Sequence, residues 1–367
     1  MRAVVFEQFG SIPAVQDVPD PQPPVGGVVV RVEATGVCRS DWHALAGHDP
    51  DVVLPHVPGH EFAGTIHRLG DGLQDGPGRF RVGERVTAPF VFACGVCAPC
   101  REGQQQVCLD QVQPGFTRWG SFAEYVVVER AAVNLVRLPG AVSAEAAAVL
   151  GCRFGTAFRA VTVVGAVRAG EWVVVHGCGG VGLSAVMIAV AAGARVVAVD
   201  VTPGALALAA QFGAEVLVNA SDAHPGGINT GEVVAAEVAA SDVVAQIREA
   251  TGGGAELSLD ALGSPATCAA SIASLRPRGR HVQVGLLPAA LGLPAVPLHL
   301  VISGELQLLG SHGMAAHAYP QLLSLVASGR LHPDRLITSR LGLDQAGPAL
   351  SAMGNAPASG IAVVKPA

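Results

Sequence analysis

Glu171-Trp172-Val173-Val174-Val175-His176-Gly177-Cys178-Gly179-Gly180-Val181-Gly182 is the stretch that decides how this chain folds. Trp172 to His176, with Val173-Val174-Val175 at its centre, has the pattern of a buried strand. An apolar helix follows the glycines and runs to Ala192, Gly193 closes it, and a second strand, Arg195 to Val199, ends in Asp200. A glycine pattern alone is weak evidence in a chain with 46 glycines. Set between a strand and a helix, with an acid eighteen residues after the last glycine, it has the context that a dinucleotide-binding turn requires. Gly177, Gly179, Gly180 and Gly182 would let the backbone approach a pyrophosphate, with the helix N-terminus facing its charge. Asp200 would accept hydrogen bonds from the adenosine ribose and repel a 2′-phosphate. Val201-Thr202-Pro203 offers no arginine to neutralise one, so the expected cofactor is NAD rather than NADP.

Further strands at Glu215 to Val218, Leu257 to Ala261 and His281 to Leu286 extend the alternation to a doubly wound parallel sheet. Gly285, in the last of these, is counted with the cofactor contacts. Asp222 to Ser241, rich in Gly, Ala and acids, reads as a surface insertion without chemistry. The tail from about 313 carries one helical pattern, Tyr319 to Ala327, and a last strand, Ile361 to Val364. Before residue 150 the periodicity is different. Val28 to Ala34, Glu61 to Leu69, Glu84 to Ala88 and Phe122 to Val128 are short β-branched runs. Turn-formers such as Pro19 to Pro24 and Asp75-Gly76-Pro77-Gly78 separate them, so an antiparallel, barrel-like domain is expected.

Length and composition agree with two domains: 367 residues, 50% apolar and only 14% charged. So much apolar surface leaves material for a subunit interface, and an oligomer is expected. The net charge of -6 and the scattered basic residues exclude a nucleic-acid footprint. Met1 to Glu7 becomes charged before a signal region could form, and the apolar run Val181 to Ala192 is short of the roughly 18 residues of a membrane span. A soluble cytoplasmic protein is expected, without a membrane partner.

Two cysteine patterns carry the chemistry. Cys38-Arg39-Ser40-Asp41-Trp42-His43 and Gly59-His60-Glu61 place a thiol, imidazoles, carboxylates and a hydroxyl in one window. A catalytic zinc takes three protein ligands and keeps a position open. Cys38 and His60 supply two, and Cys152 is the best candidate for the third. Taken alone, Cys38 is better read as a small buried residue; the neighbouring residues reverse that reading. Cys94-Gly95-Val96-Cys97-Ala98-Pro99-Cys100, with Cys108 beyond, can wrap four thiolates around a second, structural zinc. Disulfides or an iron–sulfur cluster are the competing readings, the latter without the spacing and following proline of a ferredoxin.

These motifs resemble the zinc-dependent alcohol dehydrogenases of the medium-chain dehydrogenase/reductase superfamily, over nearly all of the chain apart from the insertion. The resemblance implies a GroES-like β-barrel catalytic domain over 1–154, a Rossmann cofactor domain over 155–312 and a return to the first domain over 313–367. It makes Cys38, His60 and Cys152 the catalytic zinc ligands and Cys94, Cys97, Cys100 and Cys108 the structural ones. Glu61 falls on the acid beside the zinc histidine, Asp41 on the carboxylate that orients it, and Ser40 and His43 on a proton relay. Arg39 matches a pyrophosphate contact, Thr156 and Val181 the nicotinamide pocket, and Phe90 and Trp42 walls of the substrate pocket. Two departures stand out. Ala362 takes the place of a basic residue that touches the pyrophosphate in many relatives, with Lys365, the only lysine, close to the chain's end. The short segment from Cys108 to Tyr125 resembles the tetrameric microbial enzymes rather than the dimeric animal ones.

The implied reaction is reversible hydride transfer between a primary or secondary alcohol and NAD, with zinc lowering the pKa of the alcohol. A polyol or amino-alcohol dehydrogenase is the alternative within the superfamily; such relatives tend to have a glutamate where this chain has Cys152. A non-catalytic zinc and nucleotide-binding protein is the alternative from another class.

Overall fold

The computed structural model describes residues 1–73, 80–221, 241–287, 294–354 and 359–366. The turn at 75–78 and residues 222–240 of the expected insertion lie outside the described residues. The chain divides into two compact units, one of Met1–Gly155 with Gly313–Ala367, the other of Thr156–His312.

The first unit is built on a seven-stranded mixed sheet. Its main path runs Ile337–Gly342, Ile361–Lys365, Val28–Val37, Glu61–Leu69, Arg85–Thr87, Val136–Arg137, and Tyr125–Val128 also pairs with Val28–Val37. That long strand organises the unit. Its first half pairs antiparallel with Tyr125–Val128, its last residues with Ile361–Lys365, and nearly its whole length with Glu61–Leu69. Alternate side chains Val28, Val30 and Val32 meet Phe62, Ile66, Val86 and Val126 in one core, the inside face that a period of two produces. A second cluster around Phe6, Val37, Leu45 and Phe122 packs the Arg39–Leu45 helix against the sheet. The tail holds more structure than its sequence announces: a strand at Ile337–Gly342 and a helix at Leu343–Ala352 accompany the expected Tyr319–Ala327 helix. Gly347 and Pro348 disguise that helix. Gly347 is needed because its backbone passes so close to Pro13 that a Cβ would lie 1.9 Å from the Pro13 carbonyl oxygen.

The second unit is a six-stranded, wholly parallel sheet in the order Val216–Asn219, Arg195–Asp200, Trp172–His176, Ala255–Asp260, Leu275–Gln283, Gln307–Gly310. Val173, Val174 and Val175 are fully buried, as a central strand covered on both faces must be. The fifth strand begins at Leu275, before the expected His281; Leu-Arg-Pro-Arg-Gly-Arg carries no strand signal, and Arg276, Pro277 and Arg278 are exposed. No helix among the described residues is long and apolar enough to cross a membrane.

Two buried imidazoles make this unit acid-sensitive. His176 reaches Ser274 Oγ at 3.5 Å, while His281 shares hydrogen bonds with Ser271 Oγ (2.8 Å) and Gln283 Oε1 (3.2 Å). Burial first, then the charge of His281, pushes His176 down to about 3, and burial pushes His281 down to about 4. The unfolded chain takes up both protons near pH 6.5 and the folded one does not. Stability is therefore full above that pH and falls below it, by at most about 2.7 kcal/mol per pH unit until the folded imidazoles titrate. Denaturant unfolding between pH 7 and 4.5 should trace this loss, with roughly half of it removed in His281→Asn; equal slopes in the two proteins would contradict the assignment.

Candidate active site

The window from Cys38 to Glu61 closes into a single buried centre because the strands flanking it pair antiparallel, with Gly36 opposite Glu61. Cys38 follows the long strand and caps the Arg39–Leu45 helix, and His60 precedes the strand Glu61–Leu69. Gly59 adopts φ +107°, and a Cβ there would lie 2.5 Å from the Phe122 ring and 2.7 Å from its backbone nitrogen, so only glycine fits before His60. Cys152 comes from Leu150–Phe154, a π-helical turn, where an extra residue in the helix redirects one side chain. Tyr319, fully buried, donates its hydroxyl to the Leu150 carbonyl at 3.1 Å and pins that turn.

The Cys38 and Cys152 sulfurs and one ring nitrogen of His60 lie within 4.8 Å of one another. Asp41, fully buried, orients the set. Its Oδ1 accepts from His60 Nδ1 at 2.8 Å and from the Gly59 N–H at 3.0 Å, and its Oδ2 accepts from the Cys38 N–H at 3.0 Å. With Nδ1 committed to the carboxylate, His60 presents Nε2, a buried nitrogen without a hydrogen-bond partner. Two sulfurs and an unspent imidazole nitrogen fit a zinc ion and leave its fourth position open. The two thiols act as a pair: the hydrogen bond from Cys152, then Arg153 and His60, draw Cys38 well below the usual thiol value, and the same bond and burial push Cys152 up.

Glu61 does not stand free beside His60. Its carboxylate accepts from the Arg153 backbone N–H at 2.8 Å and is clasped by the Arg153 guanidinium, with Glu61 fully buried and Arg153 nearly so. Burial raises the Glu61 carboxyl against the opposing pull of Arg153. Neither Arg153 nor Tyr319 was singled out from sequence. An arginine directly after a candidate ligand, inside an apolar run, was the available signal for the first. Phe116, also unanticipated, packs on the His60 ring with centroids 5.2 Å apart. Phe90 stands edge-on to the same ring at 6.2 Å.

The other candidates of this unit lie along the short helix. His43 is half-buried with Nδ1 2.9 Å from His48 Nδ1; burial, then Arg39 and His48, hold its imidazolium below the usual value. Ser40 lies one turn before it. Arg39 donates to the Met353 carbonyl and stacks its guanidinium 4.3 Å above Trp42. Trp42 is half-buried, packed on Gly354 and the Phe6 cluster. Ala362 sits opposite Val37 in the sheet, and Lys365 is 3.5 Å from Glu145.

The four remaining sulfurs of the first unit, from Cys94, Cys97, Cys100 and Cys108, also lie within 4.8 Å of one another. The Cys97–Cys108 and Cys94–Cys100 sulfurs are 3.7 and 3.9 Å apart, too far for a disulfide, and all four thiols are free. Backbone N–H groups of Val96, Cys97 and Asp110 point at the sulfurs, the environment thiolates need. Amides of Leu109 and Cys100 bring Cys97 down to about 6, while burial and Cys97 push Cys100 up to about 12. The lobe's own packing is little more than these sulfurs with Ala93 and Val133.

In the second unit the glycine turn has the form its sequence implies. Gly177 takes φ +87°, and a Cβ on Gly182 would lie 1.7 Å from the Gly177 carbonyl oxygen, so strand and helix can meet only there. Gly179 faces open space at the N-terminus of the helix Gly180–Ala191, which begins with Val181 in its first turn. Asp200, at the end of the neighbouring strand, accepts from Cys178 N–H at 2.6 Å and Thr202 N–H at 2.8 Å and so braces the turn. Gly285 crosses Gly263 so closely that a Cβ would lie 2.2 Å from the Gly263 nitrogen. Thr156 is buried, its hydroxyl without a partner. An open backbone cradle with a carboxylate at the next strand end fits a dinucleotide.

Comparison with known proteins gives the class. Residues 24–140 match the family described as alcohol dehydrogenase GroES-like domain, and 180–328 the family described as zinc-binding dehydrogenase. The chain is 34% identical over 333 residues to an alcohol dehydrogenase of Geobacillus stearothermophilus, covering 90% of both. It is 31% identical over 378 residues to an NAD-dependent alcohol dehydrogenase of Sulfurisphaera tokodaii, covering all of both chains. The solved structure of the alcohol dehydrogenase TADH from Thermus sp. ATN1 superposes with a TM-score of 0.84 at 33% identity, over 100% of this chain and 99% of that one. The chain belongs to the zinc-type alcohol dehydrogenases of the medium-chain dehydrogenase/reductase superfamily, and it is an oxidoreductase with a GroES-like unit and a Rossmann unit.

Proposed function

We propose that this protein is a zinc-dependent, NAD-linked alcohol dehydrogenase that interconverts a primary or secondary alcohol and its aldehyde or ketone. The observation that carries the reading is the buried convergence of Cys38, His60 and Cys152 with His60 Nε2 left unspent. Zinc held there supplies a Lewis acid that makes the hydroxyl proton of an alcohol easier to lose, and NAD supplies the hydride acceptor. The chain does the rest. Asp41 keeps the proton on Nδ1 of His60 so that Nε2 is the donor atom. Arg153 holds the Glu61 carboxylate beside the centre. Ser40 takes the proton lost by substrate, and His43, held neutral by its surroundings, conducts it outward. Phe90 is a pocket wall, and Trp42 and Arg39 act from the helix that carries the relay. Gly177, Gly179, Gly180, Val181, Gly182 and Gly285 receive the dinucleotide, Thr156 faces its nicotinamide, and Asp200 selects NAD. Cys94, Cys97, Cys100 and Cys108 form a closed set for a second, structural zinc.

Turnover of an alcohol panel with NAD and with NADP tests this reading. NAD is expected to be preferred by more than about tenfold, the value of one unpaired charge contact. Preference for NADP would remove the role of Asp200, and no turnover with either would remove the function. His43→Ala is expected to slow oxidation by roughly 100-fold, mainly at lower pH; an unchanged pH–rate profile would remove His43.

The free cysteines of the described chain suit a reducing compartment, and we place the enzyme in the cytoplasm, which cell fractionation would read. We also place self-association, as a tetramer, on the edge of the parallel sheet. Gln307–Gly310 has one described neighbour strand, and Leu308 on it is exposed, as are Leu298 and Ile302 on the preceding helix Leu298–Gly304. An open apolar edge is suited to pairing with a second copy. Light scattering on Leu308→Lys is expected to give a smaller assembly; an unchanged mass would move the interface elsewhere.

A further inference from the structure

His48 has no part in the site described so far, yet it is joined to it. It lies just past the Arg39–Leu45 helix, and its backbone N–H donates to the His43 carbonyl at 3.0 Å, which closes the turn and sets the two rings side by side. Their Nδ1 atoms are 2.9 Å apart, with ring centroids at 5.2 Å. Trp42 stands edge-on to both, at 4.9 and 5.5 Å. His43 is half-buried and His48 exposed. The charged groups facing His43 are Arg39 and Cys38. The described residues after the Leu343–Ala352 helix, Met353 and Gly354, pack here too, through the Met353 carbonyl on Arg39 and Gly354 on Trp42, and neither carries a charged side chain.

Two imidazole nitrogens at this distance share a single proton: one Nδ1 carries it and the other accepts. His48 thus decides which nitrogen of His43 is free, and it offers the next acceptor on the way to water. We propose that His48 is a positioning residue for His43 and the outward half of a two-imidazole proton path. His43 takes a proton on Nε2, its Nδ1 proton crosses to Nδ1 of His48, and His48 releases its Nε2 proton to water. At each ring one N–H bond forms and one breaks, and exchange with water restores the starting tautomers. Oxidation of one alcohol sends one proton outward, and reduction of one carbonyl brings one inward. This inference rests on the relay reading of Ser40 and His43.

The test uses the full-length zinc-loaded enzyme and two variants of an exposed side chain, His48→Phe and His48→Gln. Imidazole nitrogen NMR, without substrate, reads the His43 tautomer; pH–rate profiles of alcohol oxidation read the transfer. In His48→Phe the His43 tautomer balance is expected to change, and turnover below neutral pH to fall about tenfold, with recovery on adding free imidazole. In His48→Gln, which keeps a hydrogen-bond partner, the tautomer is expected to stay and the slow turnover to remain. An unaltered His43 tautomer and an unaltered pH profile in His48→Phe overturn the inference alone, provided His43→Ala does alter that profile. An unaltered profile in His43→Ala overturns the relay reading and this inference with it.

Discussion

Arg153→Met is expected to destabilise the first unit by about 3–5 kcal/mol, the cost of leaving one partner of a buried ion pair charged and alone. Glu61 is fully buried, and the guanidinium supplies its donors apart from one backbone N–H. Space around the pair is tight: a Cβ on Gly36 would lie 2.4 Å from Glu61 Oε2 and 2.7 Å from the arginine nitrogen. The stranded carboxylate must then take up a proton or admit water. A double variant, Arg153→Met with Glu61→Gln, removes the charge and is expected to recover more than half of the loss, since neutral groups are cheaper to bury. Guanidinium titrations of the three proteins give the comparison. A single variant within about 1 kcal/mol of wild type would mean that the pair contributes nothing net.

Cys100→Ser is expected to have an effect of similar size by another route. The lobe around residues 94–108 packs mainly through its own sulfurs, so its order is expected to depend on the zinc proposed for them. Zinc binding to such small sites is linked to folding by about 10–16 kcal/mol in isolated peptides. In the variant, bound zinc is expected to fall by one per subunit, and the melting temperature by roughly 10 °C, corresponding to a few kcal/mol in a unit of this size. Proteolysis should open the chain within this lobe first. Unchanged melting with the zinc gone would make the lobe self-supporting, against its packing.

The parts of the fold that could be read from sequence were those set by local pattern. Trp172–His176 and the glycine turn were legible because a doubly buried strand favours an apolar run such as Val173-Val174-Val175 and a crossing at Gly182 tolerates only glycine. The strand Glu61–Leu69 and the helix Tyr319–Ala327 were likewise legible at their full lengths. Where a residue owes its place to a distant partner, the sequence was silent. Tyr319 supports Leu150 from 169 residues away, and Arg153 meets Glu61 across 92; neither spacing leaves a periodic trace. Leu275–Gln283 and Leu343–Ala352 were obscured by prolines, glycines and arginines that tertiary packing accommodates. At the site, the residue types and the resemblance pointed to the chemistry and to Asp41 orienting His60, and the structure added the rest of the arrangement: Glu61 clasped by Arg153, His43 joined to His48.

Zinc per subunit, measured by elemental analysis in the wild type and in Cys152→Ser, with NAD-linked alcohol oxidation followed on the same samples, tests the central claim most directly. Two zinc ions in an active wild type, falling to one in an inactive variant, is the expected result. One zinc in an inactive wild type would leave the Cys94 to Cys108 lobe as the only metal site and contradict the assignment of Cys38, His60 and Cys152.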